Sequence, residues 1–184
     1  PAPPTTRTDT MRILTADQIE SIPQSDLPLL VLSDNLRSLL SWRIKRHTKG
    51  YYNHAMWMHK PGRVVSQDRR LRDRPIADYL QGNHRIKLWT GCWTPATRCV
   101  MQQRIAFQLA LTERRYDWVG IIGQRLGLPW LNCPGRFYCS EHAATILRLA
   151  EPFFVTRHPT PADIDAWCKT QPQMVVYGLH DPSL

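Results

Sequence analysis

The chain has 184 residues, 42% of them hydrophobic, and carries 24 Lys+Arg against 15 Asp+Glu for a net charge of +9. That length fits one domain with a packed core, and the hydrophobic share argues against wholesale disorder. No apolar run approaches the roughly 18 residues that span a bilayer, while the positive charge favours an anionic partner without choosing among nucleic acid, wall polymer, membrane surface and acidic protein.

Pro1 to Thr10 is rich in Pro and Thr and reads as an extended arm. It lacks a basic start and an apolar stretch, so the expectation is a chain made in the cytoplasm without a signal peptide. Thr15-Ala-Asp-Gln18 has the reciprocal capping pattern of a short helix. We assign 1–22 to this arm and helix, and 23–184 to a single domain. Leu29 to Leu32 reads as a buried strand, and Ser33-Asp-Asn35 as the cap of a helix from about Leu36 to Arg46.

His54 to Met58 reads as a strand, Lys60-Pro-Gly62 as a turn, and Arg63 to Gln67 as the returning strand. Ile76 to Leu80 is a helical turn, and Arg85 to Trp89 alternates as a strand does. Pro95 opens a long helix to about Arg114, Tyr116 to Leu126 forms a shorter one, and Gly127 to Arg136 is loop. Cys139 to Ala150 and Pro161 to Thr170 are the last helices, and Met174 to Tyr177 is the last strand.

Five cysteines at irregular spacing do not form a disulfide framework, and no Cys-x-x-Cys pair suggests structural zinc. No cofactor or metal is expected. The basic clusters Arg43-Ile-Lys-Arg-His47 and Arg69-Arg-Leu-Arg-Asp-Arg74 read first as solvated faces, because no nucleic-acid-binding signature accompanies them.

One cysteine is placed for chemistry. Only the thiolate attacks, and a free thiol with a pKa of about 8.5 is mostly protonated near neutrality. Helix N-terminal amides and a nearby imidazolium both lower that value. Cys139 opens a helix, and His54 opens a strand that the fold must bring to it. The helix amides are then also candidates to hold an oxyanion. A third polar group usually fixes the imidazole. The returning strand offers Gln67, which has the longer reach and is preferred, with Ser66 left open. Against this, a cysteine before a helix is more often a buried small residue, and a strand histidine more often structural. His59, His84 and His142 compete with His54, and Cys133 and Cys99 with Cys139.

Asp26-Leu-Pro-Leu-Leu-Val-Leu32, Tyr52-Asn-His-Ala55, Pro75-Ile-Ala-Asp-Tyr-Leu80, Tyr116-Asp-Trp-Val-Gly-Ile-Ile-Gly123 and Tyr138-Cys-Ser-Glu141 together resemble the circularly permuted NlpC-type papain-like hydrolases, in their YiiX-like branch. The resemblance covers roughly residues 26–150. It implies an α+β fold with a small antiparallel sheet packed on the Cys-bearing helix and further helices. It implies Cys139 as nucleophile and His54 as general base and acid, with histidine before cysteine. Where that family often has Glu or His third, this chain has Ser66-Gln67. Tyr52, Trp57 and Tyr138 flank the two site residues and are the candidate substrate-binding residues. Tyr116, Asp117 and Trp118 match the family in a structural or substrate-wall role.

The resemblance implies a cysteine amidase or endopeptidase acting on bacterial cell-wall peptide or another anionic polymer. Its likeness to phage-encoded members implies a virion- or tail-associated lysin, with other virion or tail proteins as partners. Two alternatives are a lipid-directed thioesterase or acyltransferase, and a catalytically impaired structural virion or tail protein that keeps the fold.

Overall fold

The structure, a computed structural model, describes residues 12–35, 51–67, 70–81, 84–111, 138–156 and 158–181. The helices expected at 36–46 and 116–126, the loop at 127–136 and Cys133 lie outside the described residues.

Six strands form one antiparallel sheet: β1 (Leu29–Asn35), β2 (His54–Lys60), β3 (Arg63–Gln67), β4 (Leu71–Pro75), β5 (His84–Gly91) and β6 (Met174–His180). Their order is β4-β3-β2-β1-β5-β6. The described helices are α1 (Ala16–Glu20), a 3-10 turn (Gln24–Asp26), α2 (Ala77–Leu80), α3 (Pro95–Ala110), α4 (Cys139–Ala150) and α5 (Pro161–Thr170).

Helix starts follow local chemistry. Thr15 and Gln18 cap α1 reciprocally, and Thr160 and Asp163 do the same for α5. Thr94 accepts from the Thr97 N–H at 3.1 Å, one residue ahead of Pro95, which needs no donor there. Gly62 closes the β2–β3 turn at φ +66°, a region that disfavours side chains with a Cβ.

Both faces of the sheet are covered. On one face Leu30, Leu32, Ala55, Trp57, Val65 and Trp89 pack with Met101 and Ile105 of α3, Ala143, Ala144, Ile146 and Leu147 of α4 and Ile164 of α5. On the other, Leu29, Val31, Met56, Met58, Val64, Ile86 and Leu88 pack with α1, Ile76 and α2. Two-sided burial is why Leu29 to Leu32 is continuously apolar rather than alternating. A buried polar cluster ties α5 to the sheet. Asp165 accepts from Lys87 Nζ and Trp89 Nε1, each at 3.0 Å, and pairs with Lys169 at 2.6 Å.

Three expectations change. β1 runs on through Ser33, Asp34 and Asn35: Ser33 pairs with both β2 and β5, Asp34 and Asn35 with β5. The segment Leu71–Pro75, read as part of a charged face, is edge strand β4. The long helix stops at Ala110. The short helix expected after Thr15 is α1, and the arm expected at 1–10 lies outside the described residues; Leu14, Ile19 and Ile22 are buried in the second core, and the Leu14 N–H donates to the Leu179 carbonyl at 2.7 Å.

Candidate active site

α4 begins at Cys139, after Tyr138 in extended conformation, and no side chain caps it. Its first amides are thus left for another acceptor. The start of the helix is held from the α5 side. Ser140 Oγ donates to the Pro159 carbonyl at 2.6 Å, and Glu141 pairs with His158 Nδ1 at 2.8 Å. A carboxylate in this first turn also suits the helix dipole.

Cys139 is buried and hydrogen-bonded to His54. Burial by itself raises a thiol's pKa. The charge and hydrogen bond of His54 oppose it, as do the N–H groups of Ala55 and Ser140 at the sulfur, and the net direction is downward. The sheet makes room for this contact. The β2–β3 register runs from Lys60↔Arg63 to Trp57↔Val65, and the Ala55 N–H beyond it meets the sulfur.

His54 is held from behind. Its Nε2 lies 2.8 Å from Ser66 Oγ, which leaves Nδ1 as the ring nitrogen for Cys139. Tyr79 Oη donates to the same Ser66 oxygen at 2.6 Å. The Tyr79 ring stacks on the imidazole with centroids 6.0 Å apart and planes 15° apart, and His84 packs edge-on against Tyr79 at 5.6 Å.

Of the two candidates for the third position, the structure brings Ser66 to His54 Nε2, and the register of β2 and β3 accounts for it. The turn pairs Lys60 with Arg63, and uninterrupted counting from there puts Gln67 on the face of His54. A register shift between Met58 and Lys60 moves the pairing by one residue, so Met58 meets Val64. A one-residue shift exchanges faces, and Ser66 arrives beside His54. Gln67, 1% exposed, falls on the opposite face of its strand.

The three expected substrate-binding aromatics are all buried. Trp57 is 0% exposed, lies in the core, and donates its indole N–H to the Ala143 carbonyl at 3.0 Å. Tyr52 and Tyr138 are buried as well. Burial raises the pKa of both phenols, reinforced by Asp165 at Tyr52 and by Glu141 at Tyr138.

The competitors fall elsewhere. His142 is buried within α4. His59 lies at the bulge, 3.4 Å from Asp73. Cys92 and Cys99 are exposed. Cys168 is buried, and that burial raises its thiol pKa. Tyr79 had no assigned role in the sequence. Its signal there was only its place in the Pro75–Leu80 match.

No protein-family model matches the chain, and no curated protein matches it. Among solved structures it is similar to the metalloprotein yiiX of Escherichia coli O157:H7, a DUF1105 protein. That similarity has a TM-score of 0.52 at 14% identity and covers 88% of this chain and 91% of that one. At that identity the likeness concerns the fold, which is α+β and YiiX-like.

Proposed function

We propose that this chain is a cysteine hydrolase of permuted papain-like type that cleaves an amide bond through an acyl-enzyme. The observation that carries the reading is the hydrogen-bonded Cys139–His54 pair at an uncapped helix start, with Ser66 behind the imidazole.

In this mechanism the Cys139 thiolate adds to the substrate carbonyl carbon, forming the S–C bond. The first amides of α4 hold the resulting oxyanion. His54 gives its Nδ1 proton to the leaving nitrogen as the C–N bond breaks and an amine departs. Water then gives a proton to Nδ1 and adds its oxygen to the thioester. The C–S bond breaks, and a carboxylic acid and the thiolate are released.

Peptide cross-links of bacterial cell wall are the proposed substrate, and the net charge of +9 suits anionic wall polymers. A lipid-directed thioesterase or acyltransferase is the second reading. It is favoured by Phe153 and Val155, which stand 84% and 80% exposed beyond α4. The solved relative is called a metalloprotein. Among the described residues no three His, Cys, Asp or Glu side chains gather as a metal site would.

Cys139→Ser is expected to lower release of new amino termini from purified peptidoglycan by about a thousandfold or more. Full turnover by Cys139→Ser would reject the mechanism. Hydrolysis of acyl thioesters by the unaltered protein, with peptidoglycan left intact, would select the lipid reading.

A further inference from the structure

A histidine that trades its Nδ1 proton with a thiol must keep its hydrogen on Nε2 throughout. A carboxylate or amide carbonyl enforces this, because it can only accept there. Ser66 carries both a hydrogen and lone pairs and so does not enforce it alone. A serine hydroxyl also turns about its χ1, so its oxygen needs a partner to stay in place.

The structure supplies that partner from the opposite layer. Tyr79 is 7% exposed and belongs to the core beneath the sheet, away from α4. Its hydroxyl donates to Ser66 Oγ at 2.6 Å, while Ser66 Oγ is 2.8 Å from His54 Nε2. The same phenol ring lies nearly parallel to the imidazole, 15° between planes. One side chain thus fixes the serine oxygen through its hydroxyl and the imidazole plane through its ring. His84 on β5 closes the far side of the ring, edge-on at 5.6 Å.

We propose that Tyr79 is a positioning residue for His54, acting through Ser66, and that the Ser66–Tyr79 hydroxyl pair stands where a single acceptor would otherwise orient the imidazole. This rests on the cysteine-hydrolase reading. The tyrosine hydroxyl occupies one Ser66 lone pair and leaves the other facing Nε2–H. Its contribution is orientation without charge, since neither hydroxyl is ionised in this role.

The test is the pH profile of alkylation at Cys139 by iodoacetamide, read by mass spectrometry of the Cys139 peptide so that the other cysteines do not interfere. Four proteins are compared: unaltered, Tyr79→Phe, Ser66→Ala and the double variant. Tyr79→Phe keeps the ring and removes only the hydroxyl, and Ser66→Ala removes the link by an independent route. We expect the unaltered protein to react well below the ordinary thiol range. Each single variant should move the acidic limb upward by about one pH unit, cutting the rate at low pH about tenfold. The double variant should move it no further than Ser66→Ala alone. Fully additive shifts, or an unchanged limb in Tyr79→Phe, would overturn the role of Tyr79 while leaving the Cys139–His54 reading standing. An ordinary thiol profile in the unaltered protein would overturn that reading, and the proposal with it.

Discussion

Asp165 is the buried charge on which most rests. It is 4% exposed and accepts from Lys87, Trp89 and Lys169. Burial alone would raise its pKa, and the two lysines with the indole overcome that, so its carboxyl sits below its ordinary value. Burial pushes Lys87 below its own ordinary value despite the pairing. Asp165→Asn would leave the Lys87 ammonium buried without its counter-charge, whereas Lys169, about half exposed, can turn to water. The expected cost is about 3–5 kcal/mol in urea unfolding at neutral pH. A loss below about 1 kcal/mol would mean that Lys87 sheds its proton or finds solvent. At the same scale, the places of Cys139 and His54 could be read from local pattern: a cysteine opening a helix and a histidine opening a strand. The choice between Ser66 and Gln67 could not be made in that way, because reach favours Gln67 and the register shift that sets the strand face leaves no mark in composition. Nor could the burial of Trp57 be read, since a tryptophan beside a histidine fits a wall as well as a core.

At the level of elements, the bulge that brings Ser66 to the site also places His59 beneath the turn. His59 is 8% exposed and faces Asp73 of β4 at 3.4 Å, with Lys60 and Arg63 also acting on it. Burial lowers its pKa and outweighs the opposing pull of Asp73. The folded state therefore resists the proton that the unfolded chain takes up near the ordinary value of 6.5. Stability should decline as pH falls through that value and level off once pH passes the lowered folded value. His59→Gln should flatten this part of the curve, measured as the urea midpoint at about pH 7.5 and about pH 5. An equal acid loss in the variant would assign the effect to other groups. Strands β2, β3 and β5 could be read because alternation and a Lys-Pro-Gly turn mark them. β4 could not, because Arg72, Asp73 and Arg74 look like a solvated face, and charge on an edge strand is what keeps such an edge from pairing further. β1 runs past its expected end because Ser33, Asp34 and Asn35 continue the ladder with β5, which the local capping preference of these residues does not reveal.

Across the whole molecule, the candidate site lies where the two layers on the sheet meet at its β2–β3 end. Cys139 comes from the helical layer on one face and Tyr79 from the small layer on the other, and His54 touches both. The net charge of +9 belongs to a different length scale. Charge spread over a surface acts through solvent and is screened over about 10 Å at 0.1 M salt, whereas a buried pair is screened much less. The two should separate in one titration. Raising NaCl from about 50 to about 500 mM should weaken co-sedimentation with purified anionic cell wall severalfold. The alkylation rate of Cys139 at fixed pH should change by less than about twofold over the same range, because the thiol itself is buried, against the imidazole of His54. If both fell together, the thiol would be answering to the surface field rather than to His54. If neither changed, the positive charge would have no part in holding the wall, and the lipid-directed reading would gain.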